Sequence, residues 1–166
     1  MMEVRLAAVR VDLQSNTPVI LLQEKDGQRS LPIFIGAPEA TAIAYAIQGV
    51  DVPRPMTHDL MVDLLRALGA TLVRVVVTEV RDTTYYAEVH LDAGGRQLEV
   101  SARPSDAVAL AARTGSPLFV ADELMEAAGV LVESDEDEEA PAGEPEEIVG
   151  RFLEFLDQVR PEDFSG

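Results

Sequence analysis

Val4, Leu6, Ala8 and Val11 approximate an alternation of apolar and polar positions, and Val73, Val75 and Val77 repeat it. A period of two places side chains on one face of a strand, so both segments are expected to be strands. Pro18–Gln23 and Leu31–Ile35 flank Lys25-Asp26-Gly27, while Tyr85–Leu91 and Gln97–Ala102 flank Asp92-Ala93-Gly94-Gly95; both are hairpin signals. Glu39–Ile47 and Asp106–Arg113 are Ala-rich segments expected to be helical, each with an acidic first turn that suits the positive end of a helix. Thr57–Leu60 opens another helix, with Thr57 as candidate N-cap and Gly69 as its end. Hairpins with helices between them indicate an α+β fold.

The pattern occurs twice. Leu31–Ala44 aligns without a gap on Leu98–Ala111 at an offset of 67 residues, setting Leu31 on Leu98, Ile33 on Val100, Glu39 on Asp106 and Ile43 on Leu110. The same offset carries the Val4–Val11 strand onto Thr71–Thr78 and the first Gly turn onto the second. An internal duplication is therefore expected, with strand-strand-strand-helix units over about 1–69 and 70–132. One mixed sheet or two packed sheets, with helices alongside, would satisfy it equally well.

Charge divides the chain at the same boundary. Of the formal net charge of -17, residues 1–132 carry -6 and residues 133–166 carry -11. The run Glu133–Glu139 and the Pro/Gly-containing stretch after it repel themselves and bury nothing, so 133–147 reads as an acidic disordered linker. Ile148, Val149, Phe152, Phe155, Leu156 and Val159 return at helical spacing, predicting an amphipathic helix over 148–160 that offers a surface to a protein partner. The absence of Cys removes disulfide frameworks, thiolate metal sites and Cys nucleophiles. No apolar run reaches membrane-spanning length and no signal peptide is visible, so a cytoplasmic protein without a membrane partner is expected. The acidic balance argues for weak, salt-sensitive contact with any nucleic acid.

Polar chemistry collects at three junctions where a helix begins: Gly36–Glu39, Arg54–Asp59 and Arg103–Asp106. Free N–H groups at a helix start can hold an anion. The repeat makes Glu39 and Asp106 equivalent, so a pseudo-twofold could bring both carboxylates to one cleft. With Asp59, they are candidate ligands for Mg²⁺ or Mn²⁺, hard cations that prefer oxygen and could organise phosphodiester hydrolysis. Plainer roles stand beside these. Glu39 and Asp106 could simply stabilise helix ends, and Ser105 could be an N-cap instead of a substrate contact. Arg54 and Arg103 suit either phosphate binding or structural ion pairs. His58 could be a general base, a metal ligand or an exposed helix-end histidine. His90, within a predicted strand, is given no role. The chain has no HExxH, P-loop, GxSxG or GxGxxG motif, which removes several enzyme classes.

Taken in order, Leu31-Pro-Ile-Phe-Ile-Gly36 with Glu39–Ala44, Arg54-Pro-Met-Thr-His-Asp-Leu60, and Ala102-Arg-Pro-Ser-Asp106 through Ala111 resemble the bifunctional nuclease domain family. The likeness covers about residues 1–132, and residues 151–164 are similar to the tails of actinobacterial members. The resemblance implies an α+β fold, homo-oligomerisation and a nuclease acting on RNA, DNA or both. On that reading Glu39, His58, Asp59 and Asp106 are the catalytic candidates, while Arg54, Arg103 and Ser105 contact substrate. The alternative is a non-catalytic oligomeric module with a regulatory or protein-interaction role, which the low aromatic content and the lack of a basic stripe favour.

Overall fold

The computed structural model describes residues 1–131. The chain divides into two units, Met1–Val132 and Glu133–Gly166. The acidic linker and C-terminal helix expected over 133–160 lie outside the described residues.

Three strands open the first unit: β1 (Met2–Asp12), β2 (Thr17–Glu24) and β3 (Arg29–Phe34). Two helices follow, α1 (Ala37–Gln48) and α2 (Thr57–Ala67). Three further strands, β4 (Ala70–Arg81), β5 (Thr84–Ala93) and β6 (Arg96–Ala102), lead into α3 (Pro104–Thr114). The short elements β7 (Leu118–Val120), α4 (Asp122–Ala128) and β8 (Val130–Leu131) complete it. The architecture is α+β, with the eight strands in a single mixed sheet of order β6-β5-β4-β7-β1-β2-β3-β8.

The choice between one sheet and two is made by β7. This strand pairs parallel to β4, matching Val75 with Leu118 and Val77 with Val120. Its other edge pairs antiparallel to β1, matching Val4 with Leu118 and Met2 with Val120. Three residues therefore join two hairpin groups that would otherwise present open edges, which unpaired backbone groups make adhesive. A segment this short carries too little periodicity to be read as a strand from sequence.

One sheet face carries the core. Ile20 and Leu22 of β2, Leu31 of β3, and Val75 and Val77 of β4 are fully buried, as is Ile43 of α1. Helix α3 packs against both α1 and α2 and also touches β4 and β5. Its Ala107, Val108, Ala109, Leu110 and Ala111 are all buried, since small side chains let a helix lie close to its neighbours on more than one side. Burial of each fully enclosed Val, Leu or Ile contributes about 1.5–3 kcal/mol before entropy is subtracted.

Helix entries set up the site. Both α1 and α3 start from an extended N-cap residue, Gly36 and Arg103, with proline in the first turn. Proline fits there because its missing N–H and fixed φ cost the first turn nothing. Glu39 and Asp106 each occupy the third helical position, where a carboxylate faces the unpaired N–H groups. Thr57, the candidate N-cap, is instead the first residue of α2, and Met56 is the N-cap. The side chain that reaches back belongs to Asp59, whose Oδ2 accepts the Met56 N–H at 2.9 Å. Ser105 is not a cap either: it is buried inside the first turn of α3, and Arg103 holds the cap position.

Candidate functional site

At the start of α3, Arg103 bridges two acids. Its Nε donates to Asp106 Oδ2 at 2.7 Å, and its Nη2 donates to Asp106 Oδ1 at 3.1 Å and to Glu39 Oε1 at 2.9 Å. Glu39 and Asp106 thus meet on one guanidinium across the α1–α3 packing. The Glu39 carboxylate folds back over its own N-cap, and a Cβ at Gly36 would overlap it. A side chain at that position would push the carboxylate end of Glu39 aside.

His58 enters from α2. Its Nε2 stands 2.9 Å from Asp106 Oδ1, and its side chain is only 9% exposed. Asp106 therefore serves a guanidinium and an imidazole together. Burial acts to raise the Asp106 pKa, but hydrogen bonds from Arg103 and His58 outweigh it and hold the carboxyl below its ordinary value. The Arg103 pKa is raised, chiefly by its hydrogen bond to Asp106. Opposite charge at hydrogen-bond distance favours both ionised forms. Arg103 remains 65% exposed, so the network has a buried end at His58 and a solvent-facing end at the guanidinium.

Asp59 belongs elsewhere. Its Oδ1 accepts a 2.6 Å hydrogen bond from Nε of Arg113, a residue at the C-terminal end of α3 whose side chain is 9% exposed. Arg113 Nη1 also donates to the carbonyls of Ala42 in α1 and Ala109 in α3, at 3.0 and 2.9 Å. One guanidinium thereby ties α1, α2 and α3 together, and its hydrogen bond is the main reason the Asp59 pKa is lowered. Sequence reasoning did not single out Arg113. The available signal was its position, since a long cation ending an otherwise small-residue, buried helix must find a partner.

Glu39, His58, Arg103 and Asp106 are thus brought together, and Asp59 is engaged with a different arginine. Ser105 is buried beside Asp106, and Arg54 stands exposed in the α1–α2 loop outside the network. Among the described residues, no group of three or more His, Asp or Glu is arranged to hold a metal ion. Of the Glu39–Asp59–Asp106 set expected to bind Mg²⁺ or Mn²⁺, Glu39 and Asp106 meet at Arg103, whereas Asp59 pairs with Arg113. His90 lies between Glu88 and Glu99 at 3.5 and 3.6 Å, on strands away from these helix starts.

What the geometry offers chemically is an imidazole oriented by a carboxylate, next to a partly exposed cation at a helix start. Among the described residues, no helix is long and apolar enough to cross a membrane. The chain is 48% identical to the uncharacterized protein Rv1829 of Mycobacterium tuberculosis, over 98% of each chain. It is 25% identical to bifunctional nuclease 1 of Oryza sativa subsp. japonica and, equally, to a bifunctional nuclease of Oryza minuta. Those two matches cover 61% of this chain and 32% of each rice protein. Residues 20–133, which contain the whole Arg103 network, match the family model described as the bifunctional nuclease domain. The chain belongs to the bifunctional nuclease domain family.

Proposed function

We propose that this protein hydrolyses phosphodiester bonds of RNA, DNA or both, with His58 as base and Arg103 as phosphate ligand. The observation that carries the reading is the 2.9 Å contact between His58 and Asp106 beside the solvent-facing Arg103. With its Nε2–H donated to Asp106, His58 keeps Nδ1 as the basic nitrogen. That nitrogen takes a proton from water as the water oxygen bonds to phosphorus. The proton then passes to the departing oxygen as its bond to phosphorus breaks. Water as nucleophile needs no 2′-hydroxyl, so one mechanism serves RNA and DNA.

The bonds of Arg103 to Glu39 and Asp106 use Nε and Nη2. The two Nη1 hydrogens are left for a phosphate oxygen, and the N-terminal end of α3 adds to the positive potential there. The body's net charge of -6 limits how tightly such a site holds a polyanion, so binding is weak and salt-sensitive. Arg54, exposed in the α1–α2 loop, is a flanking substrate contact on this reading, whereas the buried Ser105 supports the first turn of α3.

The test is cleavage of labelled single-stranded RNA and DNA by wild type, His58→Gln and Asp106→Asn, purified identically, in EDTA and in Mg²⁺ or Mn²⁺. Loss of the base lowers kcat by about 10²–10⁴-fold. Equal faint cleavage by all three proteins means a contaminant, and the reading fails. The metal series establishes separately whether Mg²⁺ or Mn²⁺ is required.

A second reading, a non-catalytic regulatory module, has its own support. Three acids, Glu39, Asp59 and Asp106, and two arginines, Arg103 and Arg113, already satisfy one another across α1, α2 and α3, as a purely structural clamp would. On that reading Arg103→Ala lowers stability without any catalytic effect to separate from it.

A further inference from the structure

A cavity of about 250 Å³ opens where the C-terminal ends of α1 and α3 meet the α1–α2 loop. Tyr45, Val50, Asp51, Val52, Asp59 and Arg113 line it. The Arg113 side chain is only 9% exposed, and its hydrogen bonds to Asp59, Ala42 and Ala109 use Nε and both hydrogens of Nη1. The two Nη2 hydrogens have no acceptor among the described residues. Glu24 Oε1 and His90 Nε2 are the unpaired side-chain atoms sealed inside the described protein, so Nη2 is not sealed and opens on the cavity. Buried donors are nearly always satisfied, so the acceptor for Nη2 comes from what fills this space. Asp51, exposed at the rim, is likewise unpaired among the described residues. Two carboxylates and the negative end of α1 disfavour an anion here, and the guanidinium disfavours a metal cation. The surroundings suit a neutral ligand with an acceptor next to donors.

We infer that the cavity is a nucleobase pocket and that its ligand is guanine. Guanine carries O6 beside N1–H and the N2 amino group, so Arg113 Nη2 donates to O6 while the Asp51 carboxylate accepts from N1 and N2. Adenine and cytosine set an amino donor where guanine has O6, against the guanidinium. Uracil has a single N–H for the carboxylate. Tyr45 supplies an aromatic surface for the ring, and Val50 and Val52 supply apolar walls. The volume suits one ring system, being below the roughly 300–1,000 Å³ of pockets for drug-sized ligands. The use of the pocket rests on the proposed hydrolysis. Asp59 follows His58 in α2, and Arg113 lies on α3 about 10 Å along the helix from Asp106. A strand with its scissile phosphate at Arg103 therefore brings a neighbouring base to the pocket, and cleavage acquires a preference for sites beside guanine.

Titration calorimetry of the full chain with GMP, AMP, CMP and UMP tests the inference without turnover. GMP binds at least about tenfold more tightly than each of the others. Asp51→Asn removes that preference, and Tyr45→Leu weakens GMP by about tenfold, both with an unchanged circular dichroism spectrum. Neither variant touches the bond between Arg113 and Asp59, so they report on the pocket and not on the helix clamp. Equal affinity for the four nucleotides, or binding of none, overturns the inference. So does a GMP preference that both variants leave intact, because the base then lies elsewhere. The pocket and the hydrolysis fail separately: a GMP preference without cleavage of RNA or DNA upholds the pocket and removes the hydrolysis, whereas cleavage without a GMP preference does the reverse.

Discussion

Removing the guanidinium of Arg113, as in Arg113→Met, should destabilise the protein more than any change at the exposed Arg103. Methionine keeps the unbranched stem and its packing while deleting every hydrogen bond. What is lost is one charge-assisted bond to Asp59 at 2.6 Å and two bonds to helix carbonyls, at 3.0 Å to Ala42 and 2.9 Å to Ala109. A hydrogen bond to a charged group contributes about 1.5–3 kcal/mol and a neutral one about 1. The carbonyls also belong to helical ladders and Asp59 can gain some water, so the sum is discounted to about 3 kcal/mol. For a domain of this size that is a fall in Tm of roughly 10 °C. Urea unfolding followed by circular dichroism at pH 7 measures it, and the m value should not change. In a double-mutant cycle with Asp59→Asn, the coupling energy should be about 1–2 kcal/mol. A loss under about 0.5 kcal/mol, the size of an ordinary surface substitution, would refute the clamp. So would strict additivity with Asp59→Asn.

Acid stability follows from the same carboxylates. Asp59 is lowered below 3.8 mainly by its hydrogen bond from Arg113, and Asp106 is lowered because Arg103 and His58 outweigh the opposing effect of burial. As pH falls below about 4 the unfolded chain takes up protons first, so the stability these groups contribute is present above that pH and lost below it. Urea midpoints between pH 5 and 2 should fall less steeply in Asp59→Asn than in wild type. Gly115 ends α3 with φ +69 and open space around its Cα, so Gly115→Ala should cost about 1 kcal/mol from backbone strain alone, read as a shift in the urea midpoint. At the site, His58→Gln should reduce cleavage of single-stranded nucleic acid by about 10²–10⁴-fold in kcat, measured against an identically purified wild type.

The strands and helices of residues 1–131 were legible wherever side-chain periodicity ran long enough. Val4–Val11, the two Gly-turn hairpins and the two Ala-rich helices each carry their own local signal, so β1–β6, α1 and α3 could be read within a few residues. Local pattern also placed Glu39 and Asp106 at helix starts. It misassigned the caps of α2 and α3, because whether Thr57 or Ser105 caps depends on which residue first adopts helical dihedrals, and composition around a proline leaves that open. The strand β7 and its pairing with both β1 and β4 were illegible, since three residues have no period and their partners lie more than forty positions away.

The site divides in the same way. Sequence alone selected Glu39, His58, Arg103 and Asp106 as polar residues at helix entries, and the motifs that contain them carried the family likeness. It could not say which acid pairs with which base. That was decided by the packing of α3 against both α1 and α2, which brings Glu39 and His58 to Asp106 at one end of α3 and Asp59 to Arg113 at the other. The physical reason is that a charge is specified by its own residue, whereas its partner is set by the distance between helices far apart in the chain. That distance is fixed by the small buried side chains of α3, Ala107 to Ala111.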